Sequence, residues 1–498
     1  MRTYAMARLG PIMSGSLTQW FRCPREFDRI VSKETNSSSC GYFLFGNDAT
    51  CFGSHAAQRP SPSPAAALHD ALNDVVIDAG KASLSFDPSQ VLDNLNHETY
   101  VGEWREGSLS VLSKIYYFLR PVLPVAVRRH LQKLYLKDWK KITFPSWPVD
   151  CSADKLMNRL LLLSLRASGA NRIPFIWFWP DAKSSCAIMT HDVETQAGYD
   201  FCPALMDLDD EFGIKASFQI IPEERYAVHR EMLSEIRRRG FEVCVHDLNH
   251  DGHLYKNREQ FLQRAVRINE YGKEFDAEGF RAAVLYRKQL WYDALKFSFD
   301  MSVPNVAHLD PQRGGCCAVK PYFFQNGILE IPVTMAQDYT LYNILRDYST
   351  SLWQQQAKIV MENHGCMSFI VHPDYVLGSR ERGIYKELLA YIDSLRNDCG
   401  VWITTPGQLN RWWRQRAAMT LVKDRDGWHI EGEGAEAARI AWASEVDGRL
   451  VFSFDNSPVE APLPDDSLAD TARRTRIDPA KEPSPLLHAT TARVSKPL

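Results

Sequence analysis

The chain has no Cys-x-x-Cys pair, no block of basic residues and no long apolar run. Without Cys-x-x-Cys spacing, a structural zinc ribbon is disfavoured. The 11 cysteines are odd in number, irregularly spaced and include the adjacent pair Cys316 and Cys317. That pattern argues against a secreted disulfide framework. A net charge of −3 leaves no electrostatic footprint for nucleic acid or for a polybasic membrane anchor. The longest apolar stretches, such as IPFIWFWP at residues 173–180, fall far short of the ~20 residues of a membrane span. The opening MRTYAMARLGPIMSGSLTQWF lacks the continuous apolar segment of a signal peptide. These absences predict a soluble, cytoplasmic protein with no nucleic-acid partner and no integral membrane span. Residues 173–180 are expected to be a buried lead into the main domain.

What is present is ordinary for a globular chain: 498 residues, 45% hydrophobic and 24% charged, enough for one large core and small satellites. Composition divides the chain into regions. Residues 1–110 are mixed, with a Ser/Pro/Ala-rich patch at 58–67. Residues 111–183 carry a basic helical pattern, YYFLRPVLPVAVRRHLQKLYLKDWKK, read as a helix packed on the main domain with a solvated basic face. Residues 184–416 alternate strand and helix. Candidate strands lie at 186–190, 215–221, 241–246, 279–282, 297–303, 328–333, 366–372 and 401–404. Helical patterns occupy 225–239, 258–274, 341–363 and 380–396, the first ending at Gly240. Alternation of this kind predicts parallel βα units, and seven or eight of them suit a distorted (β/α)7–8 barrel within an α/β fold. Residues 420–456 read as a small β appendage turning at Asp447-Gly448. The tail 457–498, poor in large apolar residues, reads as disordered.

Several strands end on ionisable side chains. AIMTHDVET (187–195) ends on Asp192 and Glu194, FEVCVHDLNHDGH (241–253) on His246, His250 and His253, and MSFIVHPDY (367–375) on His372. Acids and imidazoles delivered at strand carboxyl ends place an active site on the top rim of a parallel barrel. Fourteen histidines in 498 residues produce one His-x3-His pair by chance about 0.4 times, so placement carries more than spacing. Asp192 and Glu194 occupy alternate positions and face one way in an extended segment. Two such carboxylates repel, and a divalent cation relieves this if one binds it and the other takes a proton from water. Two neutral imidazoles and one carboxylate leave a position open, as a hydrolytic metal requires. His372 is a candidate proton donor to a leaving group. Arg281 is a candidate partner that keeps Asp192 ionised, and Asp300 either orients His372 or closes a turn. Trp291 and Trp353 are candidate sugar-stacking residues.

With these residues assembled, residues 184–413 resemble the polysaccharide deacetylases, the NodB-homology fold of carbohydrate esterase family 4. The motifs that carry the resemblance are THDVE at Thr190, HDLNH at His246, FRAAVLYR at Arg281, FSFDMS at Asp300 and FIVHP at His372. The resemblance implies that His246, His250 and an acid hold a divalent metal, usually zinc. It implies that Asp192 is the general base beside Arg281 and that His372 is the general acid. It further implies hydrolysis of an acetamide or acetyl ester on a sugar polymer. Where the family often has adjacent aspartates, Val193 stands second here. A D-x-E arrangement makes Glu194 the carboxylate ligand; the alternative is Asp192 itself. The Pro-Tyr usual after the arginine is replaced by Ala283-Val284, and the tryptophan usual near the aspartate motif is missing. The leading expectation is a metal-dependent deacetylase of an N- or O-acetylated glycan or an envelope-polysaccharide precursor. The alternatives are a C–N hydrolase acting on a non-sugar amide, and a non-catalytic barrel that binds a glycan or a partner.

Overall fold

The computed structural model describes residues 16–33, 39–102, 136, 138–454 and 457–458. Most of the basic stretch at 116–141, expected as a helix packed on the main domain, and the tail from 459 lie outside the described residues. The strand expected at 186–190 runs Cys186–Val193 with every residue buried. A strand covered on both faces reads as an apolar run, not as an alternation. It sits inside a nine-stranded sheet. Cys366–Ile370 pairs along one edge in parallel, Cys186 opposite Cys366 through Thr190 opposite Ile370. On the other edge, Trp402–Thr404 pairs with residues 186–188 and Ala216–Ile220 with residues 189–193. Glu242–His246, Gly279–Arg281, Phe299–Asp300 and Leu329–Glu330 follow in that order, each parallel to its neighbour. Tyr322–Phe323 adds an antiparallel margin.

The sheet is curled. Leu329–Glu330 and Cys366–Ile370 lie at opposite ends of the parallel ladder. Yet Thr334, just past the first, donates its hydroxyl to Cys366 O at 2.7 Å and accepts the Ser368 amide at 3.0 Å. One threonine side chain spans a gap that no described backbone ladder closes. The result is a mixed α/β fold around a half-barrel sheet.

Helices Gln196–Glu211, Arg230–Arg238 and Arg258–Glu274 connect the early strands, and Ser351–Glu362, Ser379–Asp398 and Pro406–Ala418 serve the late ones. Their starts are capped locally: Asn257 accepts the Gln260 amide at 2.9 Å, and Thr195 the Gly198 amide at 3.3 Å. Gly240, at φ +81°, follows the Arg230–Arg238 helix and supplies the left-handed step that ends it.

Three expectations change. The helix expected at 225–239 starts only at Arg230. Ahead of it, the Tyr226 hydroxyl accepts the Ile221 amide and donates to Val193 O, both at 2.9 Å, which holds the segment in turns. The helix expected at 341–363 is split. Thr340–Leu345 forms a single π-helical turn ending at Arg346, φ +58°, before the α-helix begins at Ser351. Between Gly279–Arg281 and Leu329–Glu330 the described residues include no α-helix, only 3-10 turns at Ala283–Leu285 and Gln289–Ala294. The βα alternation expected of a complete barrel lapses there.

Residues 173–179 are buried, and Arg172–Ile176 forms a strand antiparallel to Ile440–Val446. That strand turns at Asp447-Gly448, both at positive φ, into Arg449–Phe454. A two-residue turn with two positive φ values matches the twist of a hairpin. Phe21, Phe175 and Phe452 pack against one another, Phe21 edge to face on Phe175, which makes one core of the N-terminal, central and C-terminal segments. Among the described residues no helix is long and apolar enough to cross a membrane.

The N-terminal segment is also tied to the sheet by charge. Arg287, following the Gly279–Arg281 strand, is fully buried and grips Glu98 through Nε at 2.5 Å and through Nη2. Glu98 further accepts the Gly315 amide at 2.6 Å and Gln289 Nε2 at 2.8 Å. Removing one partner leaves an uncompensated buried charge. Glu98→Ala is therefore expected to cost about 3–5 kcal/mol in equilibrium denaturation. The double variant Glu98→Leu/Arg287→Leu is expected to cost less than either single change.

Candidate functional site

Parallel strands end on the same side of a sheet, so their last residues meet on one rim. Asp192 is the seventh residue of Cys186–Val193, and Glu194 follows that strand. His246 ends Glu242–His246, and Arg281 ends Gly279–Arg281. His372 stands just beyond Cys366–Ile370. His250 reaches the rim from a loop whose backbone takes the left-handed conformation at Asp247 and again at His250.

The side chains converge. Donor atoms of Glu194, His246 and His250 all lie within 4.8 Å of one another. Glu194 Oε1 is 3.0 Å from His250 Nε2, and the two imidazole rings are 5.0 Å apart. His246 Nδ1 donates to the Arg281 carbonyl at 3.1 Å, which leaves Nε2 as the lone-pair nitrogen. Nε2 of His246 and Nε2 of His250 are both buried without a hydrogen-bond partner. The 3.0 Å contact of Glu194 with His250 is thus an ion-pair distance without the alignment of a hydrogen bond. Two orphaned imidazole nitrogens beside a carboxylate oxygen are a donor set that suits a divalent cation.

A second His/His/Asp group does not meet this test. His55, His69 and Asp74 also lie close together. Here, however, His69 Nε2 bonds Asp74 at 2.6 Å, His55 Nε2 bonds the Ser85 hydroxyl at 2.7 Å, and His55 Nδ1 accepts the Gln58 amide at 3.0 Å. Neither His55 nor His69 has a buried ring nitrogen left without a hydrogen-bond partner.

Asp192 and His372 lie beside the group of Glu194, His246 and His250, Asp192 near His246 and His372 near Glu194. Arg281 Nη1 donates to Asp192 Oδ1 at 2.6 Å and to the Thr190 hydroxyl at 2.8 Å, while its Nε donates to Met301 O at 3.0 Å. Burial by itself raises the Asp192 pKa, but the Arg281 guanidinium, aided by His246 and His372, outweighs it and holds the carboxyl below its usual range. Asp192 Oδ2 stays on the rim, 3.8 Å from His246 Nε2. Burial likewise works to raise Glu194, and His250 and its neighbours bring it well down. Burial lowers His246 to about 4, favouring the neutral imidazole that a metal needs. In His250 burial is outweighed by Glu194, and the net shift is upward.

His372 Nε2 lies 3.6 Å from Glu194 Oε1. Its other nitrogen, Nδ1, is 2.6 Å from Asp338 Oδ1, and its backbone amide donates to Asp338 Oδ2 at 2.8 Å. Burial opposes the charged ring, yet Asp338, then Glu194 and Asp192, lift its pKa to about 10. Asp374 ties the same segment to the ligand loop. It accepts the Glu194 amide at 3.1 Å and the Thr195 hydroxyl. A Cβ at Gly198 would meet Asp374 Oδ2 at 2.4 Å, so only glycine lets the carboxylate in.

Some expected residues fall elsewhere. Asp300 does not orient His372. Its strand lies on the far side of Gly279–Arg281, and its carboxylate accepts the Ser302 amide at 3.0 Å and hydroxyl at 2.8 Å. Asp338 does that orienting. It carries no motif, but it follows the Leu329–Glu330 strand, and an acid beyond a strand end was the available signal. His253 is exposed beside Asp251. Trp353 is buried and donates to Ala336 O at 2.6 Å, and Trp291 packs on Phe261 with Lys288 over its ring. Near His372 the aromatics are Tyr375, 5.1 Å away, and Tyr339 beyond it. Val284, where the family has tyrosine, takes φ +60°, an unusual conformation for a β-branched residue.

No protein-family model and no curated protein matches the chain. Among solved structures it is similar to polysaccharide deacetylases and esterases of carbohydrate esterase family 4. A Mycobacterium smegmatis protein classed as a polysaccharide deacetylase is 19% identical, with 47% of this chain and 92% of that one covered and a TM-score of 0.39. The family 4 carbohydrate esterase from Streptomyces lividans, solved with acetate, is 12% identical over 44% of this chain and 92% of that one, TM-score 0.29. A 4-α-glucanotransferase from Thermococcus litoralis reaches 15% identity over 45% of this chain and 40% of that one, TM-score 0.33. A transferase stands in the same range as the esterases, so likeness at this level decides nothing about chemistry.

The raised pKa of His372 has a consequence for stability. A group whose folded pKa is raised adds stability that is complete below its unfolded value of ~6.5. That contribution is lost as pH rises through about 10. Asp338→Asn is therefore expected to be less stable than the parent at pH 6, with the gap closing as pH approaches 10. Denaturant midpoints across that range measure it.

Proposed function

We propose that the protein is a metal-dependent hydrolase that removes acetyl groups from an N- or O-acetylated glycan or an envelope-polysaccharide precursor, through a catalytic region spanning 184–416. The observation that carries this reading is the convergence of Glu194, His246 and His250 around two unpaired imidazole nitrogens. An oriented base and an oriented acid flank them on the same rim. Glu194 is the carboxylate ligand in this reading, because one oxygen of Asp192 is committed to Arg281. The N, N, O donor set suits zinc.

A divalent cation held there supplies Lewis acidity toward a substrate carbonyl oxygen and toward water. Asp192, kept ionised by Arg281, accepts the proton of the attacking water through Oδ2. His372, protonated and braced by Asp338, donates from Nε2 to the leaving nitrogen or oxygen as the acyl bond breaks. For an acetamide the products are acetate and a free amine. Separating the base and acid on two strands lets each keep the protonation state its task needs. Tyr375 and Tyr339 offer aromatic faces beside the acid for a sugar ring.

The test is elemental analysis of the purified protein together with acetate release from N- and O-acetylated sugars, with and without a chelator. One equivalent of divalent metal and chelator-sensitive acetate release are expected. His246→Ala is expected to lose metal and activity together. Asp192→Asn is expected to keep metal while turnover falls by ~10²–10⁴-fold, the range for a lost general base. Metal-loaded protein that releases acetate from no member of the panel would end this reading.

A further inference from the structure

Behind the rim lies a buried group that the chemistry above does not use. His191 precedes Asp192 and, by strand alternation, points to the opposite face, into the helix layer. It has no exposure. Its Nδ1 donates to Val371 O at 2.9 Å, and its Nε2 lies 3.0 Å from Asp209 Oδ2. The Tyr385 hydroxyl donates to the other oxygen of Asp209. Asp209 belongs to Gln196–Glu211 and Tyr385 to Ser379–Asp398, so two separate helices brace one ring. Phe218 packs against its face, 5.0 Å away.

The placement matters more than the burial. Val371 is the residue before His372, as His191 is the residue before Asp192. The backbone ladder between their strands stops just short of both, at Thr190 opposite Ile370, with a last bond from the Val371 amide to Thr190 O at 3.0 Å. Past that point the imidazole of His191 takes the Val371 carbonyl. A buried polar group is costly unless every partner is supplied, and a fully satisfied buried network is rigid. This network sits where the strands of the base and the acid part company.

We propose that His191, Asp209 and Tyr385 are positioning residues that set the separation of Asp192 from His372. His191 extends the register of the two strands by a side-chain bond, and Asp209 and Tyr385 fix the ring that makes it. None of the three reaches the rim, so none is a catalytic residue. The inference rests on the deacetylase reading of that rim.

Two conservative substitutions separate the bonds. Asparagine places its Nδ2 where the imidazole has Nδ1, so His191→Asn keeps the bond to Val371 and loses Asp209. Glutamine places its Nε2 where the imidazole has Nε2, so His191→Gln keeps Asp209 and loses Val371. In the metal-loaded protein, His191→Gln is expected to lower kcat on the order of 10²-fold with KM and metal content unchanged, the scale of a misplacement near 1 Å. His191→Asn is expected to stay within about tenfold of the parent. Amide hydrogen exchange at residues 369–374 is expected to rise in His191→Gln and not in His191→Asn. A purely structural role would lower the Tm of both and leave both kcat values alike; equal kcat values and equal exchange in the two variants overturn the proposal. If the parent itself releases no acetate, the deacetylase reading fails, and the exchange comparison still decides the positioning role.

Discussion

Arg281 is the point on which the rim depends. It is a buried cation that serves several neighbours at once. Its guanidinium holds Asp192 and Thr190, and its own carbonyl takes the Nδ1–H of His246. The first bond keeps Asp192 ionised. The second fixes the tautomer that turns the His246 lone pair toward Glu194 and His250. A single residue at the end of a three-residue strand therefore aligns a proton acceptor and a proposed metal ligand. Lysine could not replace it, because a point charge has no fork to share between a hydroxyl, a carboxylate and a backbone carbonyl.

Charge on the rim is arranged in opposition. Two carboxylates face three imidazoles and one guanidinium, and none of these groups could be buried alone without a heavy desolvation cost. His246 and His372 are driven to opposite states. His246 gives its proton to a neutral carbonyl and is driven toward the neutral form by burial. His372 faces the carboxylate of Asp338 and is driven toward the charged form. The same side chain thus supplies a lone pair at one strand end and a proton at another.

The sheet that carries these residues is regular where the site needs it and irregular elsewhere. Strands of five to eight residues carry Asp192 and His246 and lead into His372. Phe299–Asp300, Tyr322–Phe323 and Leu329–Glu330 are two residues each, and the curl is completed by the Thr334 hydroxyl. The N-terminal segment is tied in through Glu98 and Arg287, so the segment after Gly279–Arg281 is braced from outside the sheet.

Much of the site was legible in the chain because a parallel sheet makes order along the sequence into position in space. Acid, imidazole and arginine at successive strand ends must share a rim, and Asp192, Glu194, His246, His250, Arg281 and His372 do. Periodicity also reached the long strands and helices, whose burial patterns are strong. It failed where a tertiary contact overrides local preference: Tyr226 delays one helix, and the left-handed Arg346 divides another. Asp300 and Asp338 show the remaining limit. Asp300 ends its strand and Asp338 lies past the end of Leu329–Glu330, and nothing local marks either for His372. Only the lateral order of the strands, which no run of residues encodes by itself, puts Asp338 against His372 and leaves Asp300 with Ser302. The chain alone determined which chemical groups meet on the rim; the packed sheet decided which of them touch, because strand neighbours are chosen by contacts between residues far apart in sequence.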